Sequence, residues 1–231
     1  TSSSQKYYTE KLIKLKGMPQ GITKIPKFKH TKNRHYFGLP EHSHIFGLLH
    51  NLIKFHPDWD DILEKIAQNN ANAIFILTGK GSQSSSHLTR RWREKAPTFA
   101  AKCIFYDAMP KDDYYNLLAC ADVVLDPLHI GCGTTSIDAL SMGIPIITKP
   151  EDNPRTRIVD GLYRIMGIKN APIAYTNSDY ITYCTEILGN KQEYNELQKT
   201  IKANFSKVLD ASQQSINQIT EEIIRLTKPE V

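Results

Sequence analysis

Residues Ala121 to Lys149, ADVVLDPLHIGCGTTSIDALSMGIPIITK, constrain the fold of this chain more than any other stretch. Val123–Val124–Leu125 is an apolar, β-branched run and reads as a buried strand. Pro127 to Gly133 holds one proline and two glycines, so the backbone turns sharply there. Thr134 and Thr135 are placed to cap a following helix whose apolar stripe is Ile137, Leu140 and Met142. Gly143 stops that helix, and Ile144–Pro145–Ile146–Ile147 supplies the next strand. A glycine- and threonine-rich helix start at the carboxyl end of a strand gathers unpaired amides and the positive end of the helix dipole. Taken alone, the loop is open to two readings, an ordinary βαβ crossover or an anion site, because neither a Walker nor a GxGxxG pattern is present.

The rest of the chain repeats this alternation. Strands are expected at Ile45–Leu49, Ile74–Leu77 and Cys103–Phe105. Helices are expected from Pro57 to Gln68, His87 to Lys95, Pro110 to Ala119, Arg155 to Met166, Ser178 to Leu188 and Gln192 to Leu209, with an edge strand at Ile173–Ala174. Ile216, Ile219, Ile223 and Leu226 keep the helical period in a last helix. The pattern predicts an α/β domain over 41–209, with a Rossmann-like parallel sheet covered by helices on both faces. Residues 1–40, rich in lysine and broken by Pro19, Pro26 and Pro40, read as a linker or the exit from a preceding domain. Residues 210–231 read as a separate C-terminal helix. On this reading the chain is part of something longer.

Composition excludes several classes. The net charge of +5 suits an acidic ligand, but the lysines crowd near the N-terminus, and no nucleic-acid-binding motif accompanies them. Cys103, Cys120, Cys132 and Cys184 show no CxxC spacing and no zinc-finger histidine. Three read as buried thiols, and Cys132, in the glycine loop, as the more exposed one. No apolar run reaches transmembrane length and TSSSQKYYTEK is not a signal peptide, so neither membrane nor nucleic acid is expected as a partner and a cytoplasmic setting is the default.

Parallel α/β sheets bind ligands beyond the carboxyl ends of their strands. That rule selects Asn51 and Lys54 after the first strand, then Asp107, Met109, Lys111 and Tyr114 after the third. After Leu125 it selects His129, Gly131, Gly133, Thr134, Thr135 and Asp138. Cations, an aromatic face, loop amides, hydroxyls and an acid are what a nucleoside diphosphate requires. Each residue also has an ordinary reading. Lys54 also reads as a surface lysine, the commoner case for lysines, Thr135 and Asp138 as a capping pair, Tyr114 and Tyr115 as packing aromatics, Asp126 as a bond to its own loop, and His56 and His129, taken singly, as structural or exposed.

The blocks NLIKFHPD, AMPKDDYYNLLACADVVLDP, GTTSIDALSMGIPIIT and RTRIVDGLYRIMGI, with the early YYTEKLIKLKGMP, resemble the C-terminal half of glycosyltransferase family 41. The resemblance runs from Tyr8 to Leu209 and implies the C-terminal domain of a GT-B glycosyltransferase, which holds a UDP-sugar. It implies that Lys54 acts on the departing diphosphate, that Asn51 contacts the nucleotide, and that Met109 and Lys111 meet the uracil with Tyr114 against it. It assigns Thr134 and Thr135 to the phosphates and Asp138 to the ribose. Gly133 departs from the animal members of the family, which carry histidine there, so loop amides gain weight in this chain. Neither a cofactor nor a metal is expected, because Lys54 and the helix start at Thr134 would supply the counter-charge for the diphosphate. The partners implied are a UDP-sugar, an acceptor protein or peptide, and a missing N-terminal catalytic half. Two alternatives remain open, a non-catalytic nucleotide-sugar-binding module and a sugar-nucleotide epimerase of the same fold.

Overall fold

The computed structural model describes residues 2–18, 21–22 and 29–227. Two compact units divide the chain, 1–24 with 206–231 and 25–205. The larger unit is built on five parallel strands, β1 (His44–Gly47), β2 (Ala73–Thr78), β3 (Cys103–Tyr106), β4 (Val123–Leu125) and β5 (Ile146–Ile147). Their spatial order is β3-β2-β1-β4-β5, so the chain winds outward from β1 in both directions. Phe46 pairs with Val123 and Gly47 with Val124 across the point where the winding reverses.

The strands are short and almost wholly apolar because both faces of the sheet are covered. Phe46, Phe75, Leu77, Val123, Leu125 and Ile147 join one buried cluster with Trp59, Trp92, Phe99 and Tyr180. Ile45, Ile76, Val124 and Ile146, equally buried, alternate with them along the strands and so face the other side. Helices α1 (Asp60–Asn69), α2 (Gln83–Lys95), α3 (Pro97–Ala101) and α7 (Asn177–Glu186) pack together over the aromatic cluster. Asp60 fastens α1 to α2, accepting from Trp92 Nε1 and from the Arg91 guanidinium, each at 2.9 Å. Helices α4 (Lys111–Ala119), α5 (Thr134–Ser141) and α8 (Lys191–Asn204) form a second packed group, and α6 (Ile158–Met166) follows β5. Gly143 ends the α5 connection with φ +84°, where a Cβ would lie 3.0 Å from the Gln198 carbonyl oxygen. Only glycine fits that corner without strain.

The elements expected from periodicity are found with shifted ends: the helix expected to run to Leu209 stops at Asn204, and the last helix spans Ser206–Thr227. Three further differences stand out. Pro57–Trp59 and Pro154–Thr156 are 3-10 turns that precede α1 and α6. Helix α3 was not expected; its five residues, PTFAA, are too few to show a period. Ile173 forms only an isolated parallel bridge to Thr148.

Part of the stretch read as a linker is tightly held within the larger unit. Arg34 donates to the Glu41, Ser43 and Cys120 carbonyls and pairs with Asp122 at 2.7 Å. Lys32 pairs with Asp113, and Asn116 accepts from the Thr31 and Lys32 amides. Pro19 and Pro26 lie outside the described residues.

The smaller unit joins helix α9 (Ser206–Thr227) to the early chain. Gln218 accepts from the Lys16 amide, Ser212 from the Ile22 amide, and Ser215 donates to the Lys16 carbonyl. Among the described residues no helix is long and apolar enough to cross a membrane.

Candidate functional site

The reversal of strand order between β1 and β4 opens a crevice at their carboxyl ends, where such sheets take ligands. From β1 the chain enters a 3-10 turn, Leu52–Lys54, capped by Asn51, whose side chain accepts from the Ile53 amide. This turn directs Lys54 across the crevice, and its Nζ donates to the Gly131 carbonyl at 2.9 Å. Gly131 is buried against Asp126, and a Cβ there would meet both the Asp126 carboxylate and the Arg155 carbonyl at 3.0 Å.

A buried polar cluster beneath the loop fixes its path. Asp126 accepts from the Cys132 amide and, at 2.6 Å, from the Thr148 hydroxyl. Burial lifts the Asp126 carboxyl to about 6, while these donors and the nearby Lys54 charge oppose the rise. His50 donates through Nε2 to the Leu125 carbonyl at 2.7 Å, and Cys132 Sγ lies 3.7 Å from its Nδ1. Burial lowers His50 to about 4, so it is neutral at physiological pH with the proton on Nε2. Cys132 is fully buried, contrary to the exposure expected for a thiol in a glycine loop, because this cluster draws its backbone inward. Asp126 does what its ordinary reading proposed and holds its own loop.

The loop delivers the start of α5 without a cap. Gly133 occupies the N-cap position, no side chain bonds to the helix start, and a Cβ at Gly133 would meet nothing within 4 Å. The expected capping by Thr134 and Thr135 does not occur, since both already lie in the first turn, past the cap position. The Ser136 hydroxyl turns back to the Gly133 carbonyl at 2.6 Å and so cannot cap either. At this helix start Thr134 is exposed and Thr135 half-buried.

Helix α4 closes the other flank. The Tyr114 hydroxyl bonds to Thr135, tying the ring to the first turn of α5, and burial pushes its pKa up to about 12. Asp138 is buried and hydrogen-bonded to Tyr115; burial raises its carboxyl, against the pull of Lys111. Lys111 lies over the Tyr115 ring, 5.4 Å from its centroid. The structure thus joins Lys54 to the Gly131–Gly133 loop, Tyr114 to Thr135, and Lys111 to Asp138 through Tyr115. Tyr115, one position from the selected Tyr114, is read from sequence only as a packing aromatic; its bond to Asp138 depends on how α4 packs on α5. Asn51 joins the group through its carbonyl, which accepts from the Lys54 amide at 3.0 Å. Met109 is half-buried on the loop after β3 and makes no described hydrogen bond to the others.

With this geometry in place, comparison with known proteins is informative. The family model for glycosyl transferase family 41 matches residues 14–219, most of the chain. The chain belongs to that family. A probable UDP-N-acetylglucosamine–peptide N-acetylglucosaminyltransferase, SEC of Arabidopsis thaliana, is 26% identical over 172 residues, 73% of this chain and 17% of the relative. A UDP-N-acetylglucosamine–peptide N-acetylglucosaminyltransferase of Giardia intestinalis is 23% identical over 78% of this chain and 12% of its own length. The chain therefore spans less than a fifth of either relative. Among solved structures, a variant of the Thermobaculum terrenum O-GlcNAc transferase superposes with a TM-score of 0.74 at 22% identity, covering 96% of this chain and 42% of the other. Anabaena HepE in complex with UDP and glucose superposes with a TM-score of 0.60 at 14% identity, over 83% of this chain and 51% of the other. The family 41 domain therefore has the parallel-sheet fold of GT-B glycosyltransferases.

Proposed function

We propose that this chain is the UDP-sugar-binding half of an inverting, metal-independent glycosyltransferase. It transfers GlcNAc or a hexose to a protein Ser/Thr or Asn, and an acceptor-side half outside these residues completes the site. The observation that carries this reading is the uncapped, open helix start at Gly133–Thr134 flanked by the ammonium group of Lys54. A helix start carries roughly half a positive charge, and together with Lys54 it supplies counter-charge for a diphosphate.

In the reaction an acceptor oxygen or nitrogen bonds to the anomeric carbon as the bond from that carbon to the diphosphate oxygen breaks, and the acceptor's proton passes to a base on the acceptor-side half. The electron pair leaves with UDP, so negative charge grows on the diphosphate. Lys54 and the Thr134 and Thr135 amides and hydroxyls are pre-aimed at that charge and act most strongly in the transition state. Tyr114 presents an aromatic face for the uracil, with Met109 and Lys111 beside it, and Asn51 lies at the nucleotide's other flank. Asp138, backed by Tyr115, serves the ribose hydroxyls, exchanging its present bond for one to the sugar. The activity of the relatives and the UDP held by a fold neighbour support the donor class.

Calorimetric titration of UDP into the chain, with and without EDTA, tests this reading. Saturable binding of the same affinity in both buffers is expected. Binding that disappears on chelation, or no binding in either buffer, overturns it.

A further inference from the structure

Two loops that flank the crevice bring three metal-ligating side chains together outside the residues assigned above. His56 and Asp58 belong to the turn that follows Lys54, and His129 to the loop that ends at Gly133. One donor atom from each of the three lies within 4.8 Å of the others. His129 Nε2 is 3.0 Å from Asp58 Oδ2, His56 Nδ1 is 3.4 Å from Asp58 Oδ1, and the imidazoles meet edge to face at 4.8 Å. His129 also sits at φ +67°, the only described non-glycine residue with a positive φ, which turns its ring toward Asp58.

The rings of this group are already aimed at its carboxylates. His129 Nδ1 donates to Glu151 Oε2 at 2.9 Å, and its Nε2 faces Asp58 Oδ2. The Asp58 amide makes a long contact to His56 Nδ1, 3.3 Å. One divalent cation placed between them engages the two imidazoles and the carboxylate together. Glu151 behind His129 fixes the tautomer, as carboxylates do behind metal-bound histidines. Lys149 pairs with the other oxygen of Glu151 at 3.0 Å.

We propose that His56, Asp58 and His129 bind a divalent ion of the zinc type, with Glu151 as the positioning carboxylate and water completing the coordination. Two imidazoles and a carboxylate select zinc over magnesium, which favours oxygen ligands. Bonds of about 2.0–2.2 Å require the three groups to draw in by roughly 1 Å at most, and the His56 and Asp58 side chains are exposed enough to move. The ion staples the loop carrying His129 to the turn after Lys54 and does not contact the diphosphate. This site stands apart from the proposed transferase function, because it can be assayed with zinc alone.

Titration of ZnCl2 into the full 231-residue chain, by calorimetry and against a chelating dye, reads the site directly. One equivalent is expected to bind with micromolar affinity, and MgCl2 to give no heat. His129→Ala, His56→Ala and Asp58→Asn should each weaken binding at least about tenfold, and Glu151→Gln about 10- to 100-fold. The control, His87→Ala, alters an exposed histidine on α2 and should leave the affinity unchanged. Circular dichroism checks that each variant is folded. Absence of stoichiometric zinc binding in the unmodified chain overturns the proposal. So does equal binding by the folded His56→Ala/His129→Ala double variant, which would place the zinc elsewhere on the chain.

Discussion

Asp126→Asn separates the two forces that act on the carboxylate beneath the glycine loop that leads into α5. Burial lifts its pKa from 3.8 to about 6, with the Thr148 and Cys132 donors opposing. The folded chain therefore holds this proton more tightly than the unfolded one. The resulting stabilisation is full below the unfolded value and is lost as pH rises through about 6. A rise of two units corresponds to about 3 kcal/mol between the limits. Asparagine keeps the acceptor for the Cys132 amide and cannot ionise, so the wild type should lose about 3 kcal/mol relative to the variant between roughly pH 4 and pH 7.5. His50 has the opposite sign. Burial depresses it from 6.5 to about 4, so its contribution is present above 6.5 and is lost as pH falls through 4. In the wild type the two slopes largely cancel; in Asp126→Asn the His50 slope stands alone and acid should destabilise the variant. Urea unfolding at a series of pH values measures this, read by fluorescence of Trp59 and Trp92, the two tryptophans, both buried in the same unit as Asp126. A difference between variant and wild type that is flat with pH would refute the reasoning. One that grows in the wild type's favour as pH rises would show that the donors outweigh burial.

Three further outcomes are expected. In an enzyme that contains this domain, Lys54→Ala should lower kcat by about 10²–10³, as for loss of one oxyanion donor, with a smaller change in KM. Lys80→Ala, which removes an exposed lysine paired loosely with Asp107 at 4.0 Å, should change little, and equal damage from both would remove Lys54 from its role. Tyr114→Ala should cost about 1–3 kcal/mol of UDP affinity by calorimetry if the ring stacks on the base; unchanged affinity in the folded variant would mark Tyr114 as a packing residue. Gly143→Ala should lower stability by about 1–2 kcal/mol in urea titrations, since alanine at φ +84° is strained and its Cβ crowds Gln198, and a neutral result would contradict that geometry.

The parallel sheet was readable because both faces are buried, which leaves uninterrupted runs such as Ile74–Leu77 and Val123–Leu125 bounded by glycine and proline. The side of the sheet that carries the site followed from the same alternation, as Lys54, Tyr114 and Thr134 all leave strands at their carboxyl ends. What lay beneath was not readable. His50, Asp126, Cys132 and Thr148 are scattered over a hundred positions and become one network only when β1, β4 and β5 lie side by side. The same holds for Asp138, whose bond to Tyr115 depends on the packing of α4 against α5. The threonine cap failed for a local reason: Asp126 pulls the Cys132 amide inward, so the helix begins at Gly133 and leaves the threonines inside its first turn. His56 and His129 are 73 positions apart and meet only through loops of different strands.

The smaller unit also sets an order of events during synthesis. Its hydrogen bonds join residues 190 to 202 positions apart, with the whole of the larger unit between them. At roughly 5–20 residues per second, Lys16 and Ile22 leave the ribosome about 10 to 40 s before their partners on α9 exist. For that interval Lys16 and Ile22 lack these native hydrogen bonds, while the sheet and its helices already have all of theirs within reach. The sheet domain can therefore finish before the unit formed by the outer segments can begin.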